Sequence, residues 1–175
     1  MIDPFDYMAM DATALAGAIR DKTVSPVEAL DAAIARAEAV NPAINALAHR
    51  RYGPARTEAA TPAGGPFAGI PWVMKDLGHP MAGVPLTGGS RAFQDVRGTA
   101  DAELVRRLRA AGLIVFATST TPEFGLTVTT ESSLYGPTRN PWNLERSAGG
   151  SSGGAAALVA AGVVPAAHAT DGGGS

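Results

Sequence analysis

The sequence predicts an α/β fold, with a mixed β-sheet core covered by helices on both sides. Three observations carry that prediction. A helical stretch over Ala102 to Ala111 is closed by Gly112 and followed at once by the β-rich run Leu113 to Ala117, which is the helix–strand half of an α/β unit. A second short apolar run, Ile70 to Met74, fits a buried strand and ends at Lys75-Asp76. The N-terminal part carries helical signals, the clearest being Ser25-Pro26-Val27-Glu28.

Taken in order, Met10 to Lys22 reads as an amphipathic helix, with Asp11 and Asp21 at its polar edges and Leu15, Ala18 and Ile19 at helical spacing. A capping box then starts a second helix: the Ser25 hydroxyl can accept from the third helical N–H, Glu28 can reach back, and Pro26 sits where its missing N–H costs nothing. Val27, Leu30, Ile34, Ala37 and Val40 mark its buried stripe, and Asn41-Pro42 predicts its end. Residues 53–66 hold three prolines among small residues and predict a surface connection. This places an N-terminal helical segment at 1–60 and the first part of the α/β domain at 61–175. Thr99 or Asp101 is the expected cap of the next helix, which turns Leu104, Val105 and Leu108 inward. Residues 118–147 show little periodicity and predict loop with at most short elements. The alanine-rich stretch Gly153 to Ala161 is apolar all round, which predicts a helix buried on every side. Trp72 and Trp142 are expected to be packing residues, and Arg139 and Arg146 to hold loop carbonyls.

Composition narrows the classes of function. With 175 residues, 46% of them hydrophobic and 17% charged, the chain can bury a core and is no disordered tail. A net charge of -2 supplies no basic face for nucleic acid. The absence of cysteine excludes a disulfide scaffold, a thiol nucleophile and a cysteine zinc site. His49, His79 and His168 lack metal-ligand spacing, so no metal is expected. The acidic, weakly apolar start does not read as a signal peptide, and no run reaches the roughly 18 apolar residues of a membrane span. A cytoplasmic protein with no membrane partner is the expectation.

Glycine is abundant, at 21 residues, and much of it lies in three clusters: Gly64 to Gly69, Gly149 to Gly154 and Gly172 to Gly174. The second cluster, Ser147 to Gly154, stands directly before the alanine-rich helix, which argues against a flexible linker. It meets neither the P-loop nor the dinucleotide-binding spacing, so a phosphate cradle is not favoured.

At this point the sequence resembles the amidase signature hydrolases. The resemblance runs through AVNPAINAL (39–47), PFAGIPWVMKDL (66–77), ADAELVRRLRAAG (100–112), STTPEFG (119–125), TRNPWNLERSAGGSSGG (138–154) and PAAHATDGGGS (165–175). It implies a triad in which Lys75 is the base, Ser151 the relay serine on a cis peptide at Gly150-Ser151, and Ser175 the nucleophile. It also implies an oxyanion hole from the backbone N–H groups of Gly172, Gly173, Gly174 and Ser175, with Ser152 and Thr170 supporting the site and no cofactor. The chemistry is coherent with those residue types: a serine hydroxyl needs a base, and burial can lower a lysine pKa far enough for it to serve.

The chain departs from common family patterns at Leu77, where many members have KDN, at Gly172, where DTGGS or DIGGS is usual, and at Thr118, where lysine is common. None of these is a triad position. KDL, TRNPWNL and PAAHATD look closest to the branch of nylon-oligomer (aminohexanoate cyclic dimer) hydrolases. The expected function is hydrolysis of a small-molecule carboxylic acid amide through a serine acyl-enzyme, with a homodimer as a candidate assembly. The alternatives are a glutamine amidotransferase subunit of the glutaminyl-tRNA type and a non-catalytic fragment. The resemblance also makes the chain read as the N-terminal part of an amidase, truncated at its nucleophile, and the isolated chain is expected to fold poorly and be inactive.

Overall fold

The computed structural model describes residues 2–175. Its N-terminal part is helical: α1 (Pro4–Ala9), α2 (Ala12–Arg20), α3 (Pro26–Ile44) and α4 (Tyr52–Ala60). Asp3 and Asp11 cap α1 and α2, and the Ser25–Glu28 capping box opens α3 with both reciprocal bonds in place. Leu30, Ala33, Ile34 and Ala37 form the buried face of α3, whereas Val27 lies at the edge of the stripe and is exposed. The helix does not stop at Asn41-Pro42. It continues to Ile44, which is buried, and ends on Asn45 in the left-handed region (φ 49°). Asn41 Oδ1 then accepts from the N–H groups of Ala46 and Leu47 and steers the chain into strand β1 (Leu47–Arg50). Tertiary burial thus overrides the local proline signal.

The segment expected as a surface connection contains α4. Pro54 falls in its first turn, where no intrahelical N–H is lost, and Ala55 and Ala59 are buried. Arg51, just before α4, grips Glu58 and the Val115 carbonyl, while Arg109 bonds Glu58 and pairs with Asp101.

The sheet is mixed, in the order β1–β3–β2, with β2 at Pro71–Lys75 and β3 at Ile114–Ser119. Strand β2 runs parallel to β3, with Lys75 opposite Ser119, and β1 runs antiparallel to β3. The alternation of side chains gives the sheet two covered faces. Val73, Ile114 and Phe116 pack into the larger core with the N-terminal helices and α6 (Gly153–Ala160). Met74 and Val115 pack on the other face with Met81, Val84 and Val105 of α5 (Glu103–Ala110). This is the expected α/β class with helices on both sides. Neither Thr99 nor Asp101 caps α5; Asp101 Oδ1 instead accepts from Ala82 N–H at 2.9 Å.

Between β3 and α6 the chain forms a 3-10 turn (Glu123–Gly125) and short strand pairs, β4 (Glu131–Ser132) with β5 (Gly136–Pro137) and β6 (Arg139–Asn140) with β7 (Asn143–Ser147). Arg139 holds a carbonyl of strand β7, that of Leu144, and not a loop carbonyl. Trp142 at the tip of the second hairpin is 83% exposed and is no packing residue, whereas Trp72 is partly buried against both cores. Helix α6 buries Ala155, Ala157 and Leu158 but exposes Ala156 and Val159, so one of its sides is open. Its apolar composition gave no periodic signal with which to tell the two sides apart. Among the described residues no helix is long and apolar enough to cross a membrane, and no cluster of three or more His, Cys, Asp or Glu could hold a metal ion.

Candidate active site

The end of β2 carries Lys75 into the interior, where it is 1% exposed. Its Nζ lies 2.7 Å from Ser151 Oγ, 2.9 Å from Ser152 Oγ and 2.9 Å from Thr170 Oγ1. Ser152 Oγ donates to the Thr170 carbonyl and accepts from Thr170 N–H, so its proton is already committed and towards Lys75 it can only accept. Lys75 can therefore donate to Ser152 and Thr170 and still present a third tetrahedral position to Ser151. Burial pushes the Lys75 pKa below its ordinary value, against the opposing pull of the Asp171 carboxylate.

Ser151, 2% exposed, begins the turn into α6, and its peptide bond with Gly150 is cis. Thr130 pins both sides of that turn: its Oγ1 donates to the Gly149 carbonyl at 2.8 Å and accepts from Gly153 N–H at 3.1 Å. Ser151 Oγ is hydrogen-bonded to Ser175 Oγ, which also accepts from Ser151 N–H at 3.1 Å. Lys75 Nζ, Ser151 Oγ and Ser175 Oγ thus form an unbroken hydrogen-bonded chain.

The N–H groups of Gly173, Gly174 and Ser175 converge on one point, which in this structure is occupied by Asp171 Oδ1, at 2.9, 2.5 and 2.9 Å. Those three bonds hold the Asp171 carboxyl below the usual carboxylate range. Gly172 lines the adjoining cleft. That cleft, about 400 Å³, is lined by Ser151 and Ser175 and has apolar walls at Leu77, Phe124, Leu126 and Val128. Among the described residues that line it, none has an ionisable side chain. A larger hollow of about 640 Å³, next to α1 and α3, has none of these hydroxyl or amine groups in its walls.

The sequence reading missed three supporting features. Asp76 is buried and accepts from Thr87 N–H, Thr87 Oγ1 and the Tyr135 hydroxyl at 2.9, 2.5 and 2.6 Å, and the Tyr135 hydroxyl also bonds His49 Nε2. Its place beside Lys75 was a usable signal, but its partners lie in loops with no periodicity. Gly125 (φ 70°) is the second: a Cβ there would come 2.8 Å from Leu77 Cδ2 and 3.2 Å from Ser151 Oγ. His168, the third, accepts the Lys75 backbone N–H on its ring.

The fold and site define a mixed α/β protein with a buried lysine behind two serines on glycine turns. The family profile described as Amidase matches residues 28–175, and the chain belongs to the amidase signature family. It is 46% identical over 167 residues to the 6-aminohexanoate-cyclic-dimer hydrolase of Paenarthrobacter ureafaciens, covering 94% of this chain and 34% of that protein. It is 42% identical over 174 residues to an acylamidase of Rhodococcus erythropolis, covering 95% and 36%. The solved structure of 6-aminohexanoate cyclic dimer hydrolase complexed with substrate superposes with a TM-score of 0.89 at 45% identity, over 93% of this chain and 34% of that one. A glutamyl-tRNA(Gln) amidotransferase subunit of Mycobacterium bovis is more distant, at 40% identity over 179 residues, with 97% of this chain and 36% of that protein covered. The chain spans about a third of the length of the curated relatives it matches.

Proposed function

We propose that this chain carries the serine–lysine site of an amide hydrolase. The observation that carries the reading is the continuous contact from buried Lys75 Nζ through Ser151 Oγ to Ser175 Oγ, opening on a cleft. In this reading neutral Lys75 takes the Ser151 proton as Ser151 takes that of Ser175, and Ser175 Oγ bonds to the amide carbonyl carbon. The oxyanion competes with Asp171 for the converging N–H groups of residues 173–175, with Gly172 beside them. Collapse breaks the C–N bond, the relay returns its proton to the departing nitrogen, and water then cleaves the acyl ester by the same route.

Apolar walls without a charged side chain favour amides with an uncharged aliphatic acyl part. That agrees with the name of the cyclic-dimer hydrolase relative. The glutamine-transfer reading is not favoured, because the amidotransferase subunit is the more distant relative. A small-molecule amide as partner, a homodimeric assembly and a cytoplasmic location complete the proposal; light scattering of the purified protein tests the assembly.

The deciding experiment follows release of amine from a short aliphatic amide by the complete protein and by its Lys75→Ala variant. A loss of at least about a thousandfold is expected. Turnover near wild type in Lys75→Ala overturns the relay.

A further inference from the structure

One edge of β2 pairs with β3; along the other runs the chain that leads to Thr170 and Asp171. There, His168 N–H donates to the Val73 carbonyl at 2.9 Å, as in a parallel strand pair. In a regular parallel pair the next bond would run from Lys75 N–H to the carbonyl of residue 168. Instead Lys75 N–H donates to His168 Nδ1, at 3.3 Å. The imidazole takes the place of the backbone acceptor, and the chain is released from the sheet edge after one bond. That departure brings Thr170 Oγ1 to 2.9 Å from Lys75 Nζ and leaves the Thr170 carbonyl to accept from Ser152 Oγ.

We propose that His168 is a positioning residue for the site: its neutral imidazole fixes the Lys75 backbone and turns the following chain so that Thr170 and Ser152 can hold the Lys75 amine. The kinetic part of this proposal rests on the amidase reading; the structural part does not. Only the tautomer protonated on Nε2 can accept at Nδ1, so the tether requires an uncharged ring. The surroundings enforce that state. The ring is buried, the His79 ring lies edge-on at a centroid distance of 5.0 Å, and Lys75 faces it from β2. Burial first, then His79 and Lys75, bring the His168 pKa from 6.5 down to about 4. The acceptor lone pair is therefore available throughout the neutral range.

The test compares His168→Leu, which has no acceptor, with His168→Asn, whose Oδ1 can stand where Nδ1 stood. Two readouts are used: hydrogen exchange of the Lys75 amide, and kcat and KM on a short aliphatic amide. In His168→Leu, Lys75 amide exchange should accelerate and kcat should fall, each about tenfold, with KM within about twofold, while His168→Asn retains most of both. Unchanged Lys75 exchange in His168→Leu overturns the tether. Equal loss of kcat in both variants overturns its role in positioning the amine. Absence of hydrolysis by the complete wild-type protein would sink the amidase reading and leave the exchange measurement to decide the tether on its own.

Discussion

A Cβ added to Gly150 would stand 2.8 Å from the Thr129 carbonyl carbon, and one added to Gly154 would stand 2.6 Å from the backbone N and O of Thr120. Added to Gly172, Gly173 or Gly174, it would meet nothing within 4 Å. The two glycine–serine turns of the site, nearly interchangeable as composition, therefore use glycine for different reasons. In the first, glycine provides space, because two backbones pass too closely for any side chain. In the second, it leaves the chain free to curl so that successive N–H groups share one acceptor. The first turn holds Ser151 rigidly beside Lys75; the second presents Ser175 to the cleft.

The sharpest way to break this contrast is Gly154→Ala. With Thr120 backbone in the way, it should cost about 3 kcal/mol of stability in chemical denaturation, and a loss under about 0.5 kcal/mol would show that the first turn is not clamped. Acid should weaken the tether of the chain that leads into the open turn. His168 has a lower pKa folded than unfolded, so between pH 6.5 and about 4 the unfolded chain binds the extra proton, and stability falls as pH falls through that window. The expected loss is on the order of 2 kcal/mol, and His168→Leu should flatten that part of the stability–pH curve. Thr130→Val removes the bonds to Gly149 and Gly153 while keeping the shape, and about 1.5 kcal/mol is expected from thermal or denaturant unfolding. Smallest in stability is Gly173→Ala in the open turn. It should change unfolding by under about 0.5 kcal/mol, because a Cβ there meets nothing and the backbone N–H is kept. A stability loss matching that of Gly154→Ala would erase the distinction.

Much of the fold was legible in the order of residues. The capping box at Ser25 starts α3, Gly112 (φ 94°) ends α5, and the runs 70–74 and 113–117 fall in adjacent parallel strands. These signals are local, so the chain states them directly. The helix over 52–60 was hidden because its prolines and small residues speak for a loop, and only burial of Ala55 and Ala59 against the core makes a helix of it. Val27 and Trp142 failed for the converse reason: they are apolar, but the fold leaves their side exposed.

For the site, the motif residues Lys75, Ser151, Ser152, Thr170 and Ser175 were named from the resemblance, and the fold brings all five into one hydrogen-bonded cluster. Ser151 and Ser175 are 24 residues apart in the chain and Lys75 is 76 before Ser151, so no spacing rule could have linked them.

The motif residues of the candidate site, the start of α3, the glycine stop after α5 and the α/β class were thus legible at the level of sequence. These depend on short-range backbone preferences and on the order of apolar runs. Tertiary structure alone decided which polar groups meet and which way their protons face. It placed Asp76 under Thr87 and Tyr135, set His168 on the backbone of Lys75, and turned three N–H groups onto Asp171. Hydrogen bonds depend on distance and direction to a few tenths of an ångström, and that precision arises only when distant segments are packed against one another.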